Sequence, residues 1–152
     1  MPNPKSPTPA WWTEVLRLLD ERRRVTVCQL GLEGEPQLVE DFRRGLPMVA
    51  IAGLIARAQV WVSCDSFLPH LARHVGAPGV VVWSRSDPRI FGYAENDNLL
   101  ADRKYLRAEP FAAWETESYV ASAFPEQEAV VNAICRRLVA RERDGDRRAR
   151  KA

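Results

Sequence analysis

The feature that most constrains the fold is an alternation of short apolar strands with helical segments. Three runs rich in apolar and β-branched residues, at 25–30, 59–64 and 79–83, have the length and composition of buried β-strands. Between them, apolar residues recur every three or four positions, as on one face of a helix. Strands that are apolar on both faces and alternate with helices are typical of a parallel sheet covered on both sides. The sequence therefore predicts a three-layer α/β fold built on a parallel sheet.

Helices are predicted over most of the remaining chain. They are expected at 10–24, 36–43, 48–58, 67–75 and 126–143. The helix at 36–43 is short and begins at Pro36, a favoured first helical residue. The segment 84–125 shows no clear period and is predicted to be mostly irregular, with aromatic side chains such as Phe91, Phe111 and Trp114 packed over the core.

Both ends of the chain are predicted to lie outside the folded domain, which is assigned to residues 10–143. Residues 1–9 are polar and proline-rich and are expected to be disordered. Residues 144–152 form a basic tail that is also expected to be disordered. A solvated end is the simpler interpretation of this tail, and peripheral contact with an anionic membrane surface is the alternative.

Charge and composition exclude several classes of function. The chain has 152 residues, room for one domain, and its net charge of +2 is not that of a nucleic-acid-binding protein. Two His and three Cys at scattered spacings predict no metal site, and no cofactor is predicted. The cysteines lie in apolar runs, as core residues do in a reducing compartment. Because no apolar run approaches the roughly 20 residues that span a bilayer, a cytoplasmic protein is predicted.

The second predicted strand leads directly into a polar turn, Asp65–Ser66, before the next helix. Ser66 is a favoured N-cap residue, and free N–H groups of Phe67 and Leu68 would face the same end of the helix. Exposed amides and the helix dipole favour a bound anion there. Two interpretations stay open, an ordinary helix cap and a diphosphate site. Segments that follow the three strands meet at this ligand-binding edge of the sheet: 31–35, 65–70 and 84–87.

The turn belongs to a longer motif that spans residues 48–88. An apolar helix and strand precede Asp65-Ser66-Phe67-Leu68-Pro69-His70-Leu71-Ala72, and Gly76-Ala77-Pro78, an apolar strand and Asp87-Pro88 follow. In order and spacing this motif resembles the C-terminal half of the family-9 glycosyltransferases, the ADP-heptose:lipopolysaccharide heptosyltransferases. The resemblance implies a Rossmann-like donor-binding domain of GT-B architecture. It also implies a nucleotide-sugar substrate such as ADP-heptose, with lipopolysaccharide or another glycan as the acceptor.

The resemblance implies roles for four residues of the motif. Asp65 would contact the donor sugar, and Ser66 with the following amide, that of Phe67, would hold the diphosphate. His70 would lie near the diphosphate or would hydrogen-bond Asp65 and fix its orientation. The alternative for His70 is a core histidine bonded to a carbonyl group.

Three residues outside the motif also match donor-binding positions of the family. Lys5 corresponds to a phosphate-binding lysine that precedes the first helix. Glu33 or Glu35 corresponds to a glutamate near the nucleoside ribose. The alternatives are a mobile, solvated lysine and two ordinary loop charges.

The chain departs from the family in three respects. Phe67 stands where the family has glycine, and its side chain would crowd the diphosphate unless it turns into the core. The sheet is predicted to lack its first strand, because residues 1–9 are too few and too proline-rich to supply it. The acceptor domain and its base are missing, so no catalytic residue is predicted, and either a partner chain supplies that domain or the chain is a fragment of a longer protein. A non-catalytic nucleotide-binding module and a decayed remnant are the alternatives.

Overall fold

Helices and short parallel strands alternate along the chain except between the first two strands, so the predicted α/β class is confirmed. The computed structural model describes residues 2–151. The strands are β1 (Cys28–Gly31), β2 (Asp41–Arg44), β3 (Val62–Cys64), β4 (Val80–Trp83) and β5 (Asp97–Leu100). The helices are α1 (Pro9–Arg22), α2 (Met48–Arg57), α3 (Leu68–His74), α4 (Pro88–Phe91) and α5 (Gln127–Ala149). Short 3-10 helices lie at Arg103–Tyr105 and Ala121–Ala123.

The strands form two parallel sheets, whereas the sequence predicts one. β1 pairs with β2, and β4 lies between β3 and β5 in a three-stranded sheet. The sheets are separate because, within residues 2–151, no strand joins β1 to β3. All pairs are parallel. The carboxyl ends of β3 and β4 therefore reach the same edge, where the polar segments 65–70 and 84–87 follow.

The central strand β4 is buried on both faces by different helices. Val80 and Val82 pack with residues of α1 and α5, whereas Val81 and Trp83 pack with residues of α2 and α3. This alternation follows from the pleat, which sends successive side chains to opposite faces. Burial of each such side chain stabilises the fold by roughly 1.5–3 kcal/mol at most. Helices on both faces thus hold the carboxyl end of β4 in place.

The start of α1 is fixed by its own sequence. Thr8 Oγ1 accepts a hydrogen bond from the backbone N–H of Trp11 at 3.3 Å, and Pro9 occupies a first-turn position that needs no donor. Val15 and Leu19, one turn apart, bury the inner face of the helix in the same cluster as Val80. The residues just before α1 are thereby held close to the three-stranded sheet.

Two predicted elements are wrong. The segment 36–43 is not a helix; its last residues belong to β2, where Phe42 alternates with charged residues as in an edge strand. The segment 84–125 is not mostly irregular, since it contains α4 and β5. Asp97 and Asn98 open β5 with polar side chains, so the strand does not show as an apolar run.

The N-terminal segment is in contact with the folded domain, whereas the sequence predicts disorder over residues 1–9. Ser84 Oγ donates a hydrogen bond to the carbonyl of Pro4 at 3.0 Å, and Lys5 forms an ion pair with Asp65. The backbone turns at Pro4–Ser6, where Ser6 N donates to Asn3 O at 3.2 Å. Long-range contacts, which a local pattern does not show, account for the difference. Met1 lies outside the described residues.

The last helix is longer than the predicted 126–143. α5 continues to Ala149 and so includes most of the tail that the sequence predicts to be disordered. Arg, Glu and Ala are strong helix formers, so the helix continues beyond its apolar face. Ala152 lies outside the described residues. None of the helices within residues 2–151 is both long and apolar enough to cross a bilayer.

Candidate functional site

The start of α3 differs from the prediction, because the N-cap residue is Phe67 rather than Ser66 and no side chain caps the helix. Ser66 Oγ accepts a hydrogen bond from the backbone N–H of Leu68 at 3.3 Å. That amide is therefore occupied within the turn. The helix begins at Leu68 rather than Phe67 and is only seven residues long. The predicted anion site of free amides at a helix end is thus reduced, and side chains must supply most of the polar contacts.

Asp65 connects three separate parts of the chain. Its Oδ2 lies 3.0 Å from Lys5 Nζ in an ion pair and accepts a hydrogen bond from Ser86 Oγ at 2.7 Å. Asp65 follows β3, Ser86 follows β4, and Lys5 precedes α1. The carboxylate side chain is 12% exposed and that of Lys5 is 32% exposed. Both charges are therefore partly shielded from water, and the ion pair is stronger than one at an open surface.

A pocket of about 470 Å³ opens beside this cluster. One part of its lining is polar and contains Lys5, Asp65, Ser66, His70 and Ser86. The other part is apolar and contains Phe67, Phe91, Pro110, Phe111, Ala112 and Trp114. We call the second part the aromatic wall. A ligand that fits both parts carries polar or charged groups at one end and a flat or apolar group at the other.

The ring of Phe67 does not turn into the core. The residue is 49% exposed and lines the pocket. Its backbone is helical, with φ −69° and ψ −23°, so no glycine-only conformation is required at this position. Phe67 therefore adds an aromatic surface where a glycine would leave room for a diphosphate against the backbone.

His70 lines the pocket but bonds a residue that the sequence did not connect to it. Its Nδ1 lies 2.8 Å from the hydroxyl of Tyr93, and the two rings meet edge to face at 5.6 Å. His70 is exposed and bonds neither a core carbonyl nor Asp65, so both of these expectations are wrong. Its position near the proposed diphosphate stays a prediction.

Glu33 and Glu35 lie apart from the other predicted residues. Both are exposed in the loop between β1 and β2, and neither lines the pocket. A Cβ added to Gly31 would lie 2.2 Å from Glu35 Oε2, so this carboxylate folds back over the end of β1. The structure therefore brings Lys5, together with the motif residues, to one pocket and leaves the two glutamates outside it.

The aromatic wall is held by a buried arginine that the sequence analysis missed. The side chain of Arg107 is 2% exposed, and its Nε donates to Glu117 Oε1 at 3.0 Å. Its Nη2 donates to the carbonyls of Ala112 and Ala113, the latter at 3.1 Å. The guanidinium also lies 4.2 Å from the ring centre of Trp114. The only sign of this arrangement in the sequence is that Arg107 and Trp114 lie in the same irregular segment, which is rich in aromatic residues.

The ring of Trp114 is in contact with two cations. The Lys5 ammonium is 4.9 Å from its ring centre, in addition to the Arg107 guanidinium. Arg107 Nη1 is buried and has no hydrogen-bond partner within residues 2–151. Cation–π contact and the bonds to the loop carbonyls fix the indole beside the polar part of the pocket.

Neighbouring titratable groups have altered pKa values for local reasons. Burial raises the pKa of the Cys64 thiol, so this residue stays protonated next to the pocket. The hydrogen-bonded Arg103 guanidinium lowers the pKa of Asp87, which also accepts from the backbone N–H of Arg89 and caps α4. Within residues 2–151, no three His, Cys, Asp or Glu side chains are grouped as a metal site requires.

Comparison with known proteins gives no match. No family model, no curated protein and no solved structure matches this chain. The resemblance to family-9 glycosyltransferases therefore depends on the motif residues alone and stays a prediction.

Proposed function

We propose that the pocket binds the nucleotide-diphosphate sugar donor of a glycosyl transfer reaction. The chain then corresponds to the Rossmann-like donor-binding domain of a GT-B glycosyltransferase that lacks its first strand. Lipopolysaccharide or another glycan is the acceptor by resemblance, and ADP-heptose is the first donor to test. The acceptor domain belongs either to a partner chain or to the rest of a longer protein of which this chain is a part, and transfer takes place in the cytoplasm.

The proposal depends on one observation: Lys5, Asp65 and Ser86 lie together beside the aromatic wall. A nucleotide sugar needs a cation near the diphosphate, acceptors for the sugar hydroxyls and a flat surface for the base. Lys5 supplies the cation, Asp65 accepts from hydroxyl groups, and the hydroxyl of Ser66, whose oxygen accepts from Leu68 N, adds a donor. The rings of the aromatic wall offer a stacking surface for the base.

A non-catalytic binding module is the second candidate, and the state of Asp65 favours it. Glycosyl transfer requires a base that deprotonates the acceptor hydroxyl. Asp65 already forms an ion pair with Lys5 and accepts a hydrogen bond from Ser86, and Nδ1 of His70 is already hydrogen-bonded to the hydroxyl of Tyr93. A free base must then come from outside this domain, and the domain alone binds its ligand and does not react.

A thermal-shift titration with ADP, UDP, GDP and ADP-heptose tests the proposal. At a ligand concentration of 100 times Kd, mass action stabilises the folded state by about 2.7 kcal/mol, which raises Tm by roughly 5–10 °C at this chain length. Asp65→Ala and Ser66→Ala should abolish the shift, whereas the exposed control Glu33→Ala should retain it. No shift with any of the four ligands would contradict the proposal. A shift that Asp65→Ala and Ser66→Ala leave unchanged would place the ligand elsewhere.

A further inference from the structure

The hydroxyl of Tyr93 is hydrogen-bonded to His70, a residue of the polar part of the pocket. The Nδ1 atom of His70 lies 2.8 Å from this hydroxyl, and the two rings meet edge to face. We propose that Tyr93 is a positioning residue, which fixes the orientation and the tautomer of His70 so that Nε2–H donates a hydrogen bond to the diphosphate of the ligand. The inference rests on the proposed function, since it assigns a role within the same pocket.

The backbone of Tyr93 is fixed to the three-stranded sheet. Its carbonyl accepts hydrogen bonds from Asn96 N at 3.1 Å and from Asn98 Nδ2 at 2.8 Å. Asn98 lies in β5, and its Oδ1 accepts a hydrogen bond from Trp83 Nε1 at 2.9 Å. Trp83 lies in β4 and is 1% exposed. Hydrogen bonds through Asn98 and Tyr93 thus connect the exposed imidazole of His70 to a buried tryptophan.

Gly92, directly before Tyr93, makes this close packing possible. A Cβ at Gly92 would lie 2.5 Å from the carbonyl oxygen of Pro88 and 2.9 Å from Asn98 Oδ1. Contacts as short as these would force the backbone or the Asn98 side chain to move. The hydrogen bond between Asn98 and the Tyr93 carbonyl therefore depends on the absence of a side chain at position 92.

The ring of Tyr93 is held by a second side chain of α3 in addition to His70. The guanidinium of Arg73 lies 5.6 Å from the centre of the ring, within the range of a cation–π contact. Arg73 is itself paired with Glu95, in the turn that leads from Tyr93 to β5. Backbone and ring of Tyr93 are therefore both fixed, as a residue that orients a neighbour requires.

The bond to Tyr93 determines which nitrogen of His70 is protonated. A phenol O–H is a stronger donor than an imidazole N–H, and an imidazole nitrogen is a stronger acceptor than a phenol oxygen. The Tyr93 hydroxyl therefore donates to Nδ1. The neutral ring then has its proton on Nε2, because the hydrogen bond at one ring nitrogen sets the state of the other.

This tautomer makes His70 a hydrogen-bond donor to the ligand and not a base. Its Nδ1 is occupied by Tyr93, and its Nε2 is already protonated, so neither nitrogen is free to take a proton from an acceptor hydroxyl. Phosphate oxygens accept hydrogen bonds from such an N–H group. Lys5 and His70 both line the polar part of the pocket. The diphosphate is then bound by one charged donor and one neutral donor.

Long-range 1H–15N NMR of the ligand-free chain tests the tautomer directly. At about pH 8.5, where imidazole is ordinarily neutral, the wild type should show His70 with its proton on Nε2 only. Tyr93→Phe, which removes the hydroxyl and keeps the ring, should show a mixture of the two tautomers. His74, the second of the two histidines in the chain, is the internal reference. A proton on Nδ1 of His70 in the wild type, or the same His70 signals in both proteins, would overturn the proposal.

A double-mutant cycle measured by calorimetry with ADP tests whether Tyr93 acts through His70. We expect Tyr93→Phe to weaken ADP binding by about 2–10-fold, the contribution of one hydrogen bond, and to leave adenosine binding unchanged. In a His70→Ala background, Tyr93→Phe should weaken ADP binding no further. The same loss in both backgrounds would mean that Tyr93 acts only on the general structure, and would contradict the proposal.

A matched control and the ligand-free spectra separate the possible failures. Tyr119→Phe removes the hydroxyl of a tyrosine that stacks on Phe124 and does not line the pocket, so it should change neither ADP binding nor the His70 signals. Thermal denaturation verifies that each variant folds. If the wild type binds no ADP, the proposed function fails, and the role of His70 toward a diphosphate fails with it. If ADP binds but Tyr93→Phe leaves both the His70 tautomer and the ADP affinity unchanged, only the role of Tyr93 is refuted.

Discussion

Arg107 offers a strong test of how the aromatic wall is held in place. Its guanidinium bonds Glu117 and two loop carbonyls and contacts the ring of Trp114, and the side chain is 2% exposed. Arg107→Ala removes all of these contacts at once. Glu117 keeps a second partner, Arg85, so the carboxylate is not left as an isolated charge.

The expected loss of stability follows from these contacts. A hydrogen bond to a charged group contributes about 1.5–3 kcal/mol, and a shielded cation–π contact contributes about 1–2 kcal/mol. The unpartnered Nη1 of Arg107 carries a cost of about 1–3 kcal/mol that disappears with the side chain. We therefore expect Arg107→Ala to lower the free energy of unfolding by about 2–4 kcal/mol, or Tm by roughly 5–15 °C.

Urea denaturation monitored by circular dichroism measures this loss, and Arg103→Ala is the matched control. Arg103 also pairs with a carboxylate, that of Asp87, but its side chain is 46% exposed. Such a pair contributes at most about 1 kcal/mol. The reasoning is refuted if Arg103→Ala lowers the free energy of unfolding as much as Arg107→Ala does. It is also refuted if Arg107→Ala lowers the free energy of unfolding by less than about 1 kcal/mol, because burial of Arg107 then does not stabilise the wall.

Two further predictions concern stability. The hydrogen bond from Arg103 lowers the folded-state pKa of Asp87. The stability that this carboxylate contributes is therefore present above its unfolded pKa of about 3.9 and is lost as pH falls through the folded-state pKa. In urea titrations from pH 6 to pH 2, the free energy of unfolding should fall less for Asp87→Asn than for the wild type. A Cβ at Gly79 would lie 2.2 Å from the Trp61 indole, so Gly79→Ala should destabilise the fold by about 1–3 kcal/mol. A Cβ at Gly145 in α5 meets no other atom, so Gly145→Ala should stabilise the fold by about 0.5–1 kcal/mol. Thermal denaturation in which Gly79→Ala matches or exceeds the wild-type Tm would contradict the contact.

The elements with strong apolar periodicity were predictable from the sequence. α2, β3, α3 and β4 lie within a residue or three of their predicted bounds, because each buries an apolar face in the core. β2 and β5 were not predicted because they lie at sheet edges. Their polar residues, such as Asp41 and Asp97, conceal the strand pattern.

The polar part of the pocket was more predictable than its wall. Asp65, Ser66 and His70 are adjacent in sequence, so one turn brings them together. The position of Lys5 depends on a hydrogen bond between Ser84 and Pro4, which are far apart in the chain. Arg107 and its carbonyl partners belong to an irregular segment, where no period in the sequence indicates which side chain is buried.

The most direct test of the proposed donor site compares ADP with adenosine by isothermal titration calorimetry on the wild type and on Lys5→Ala. The two ligands share the base and ribose, so the difference in their affinities reports the diphosphate. We expect ADP to bind the wild type at least about tenfold more tightly than adenosine, and Lys5→Ala to remove most of that difference, in keeping with a charge-assisted contact of about 1.5–3 kcal/mol. Equal affinities for ADP and adenosine, or an ADP affinity that Lys5→Ala does not change, would contradict a diphosphate held by Lys5 in this pocket.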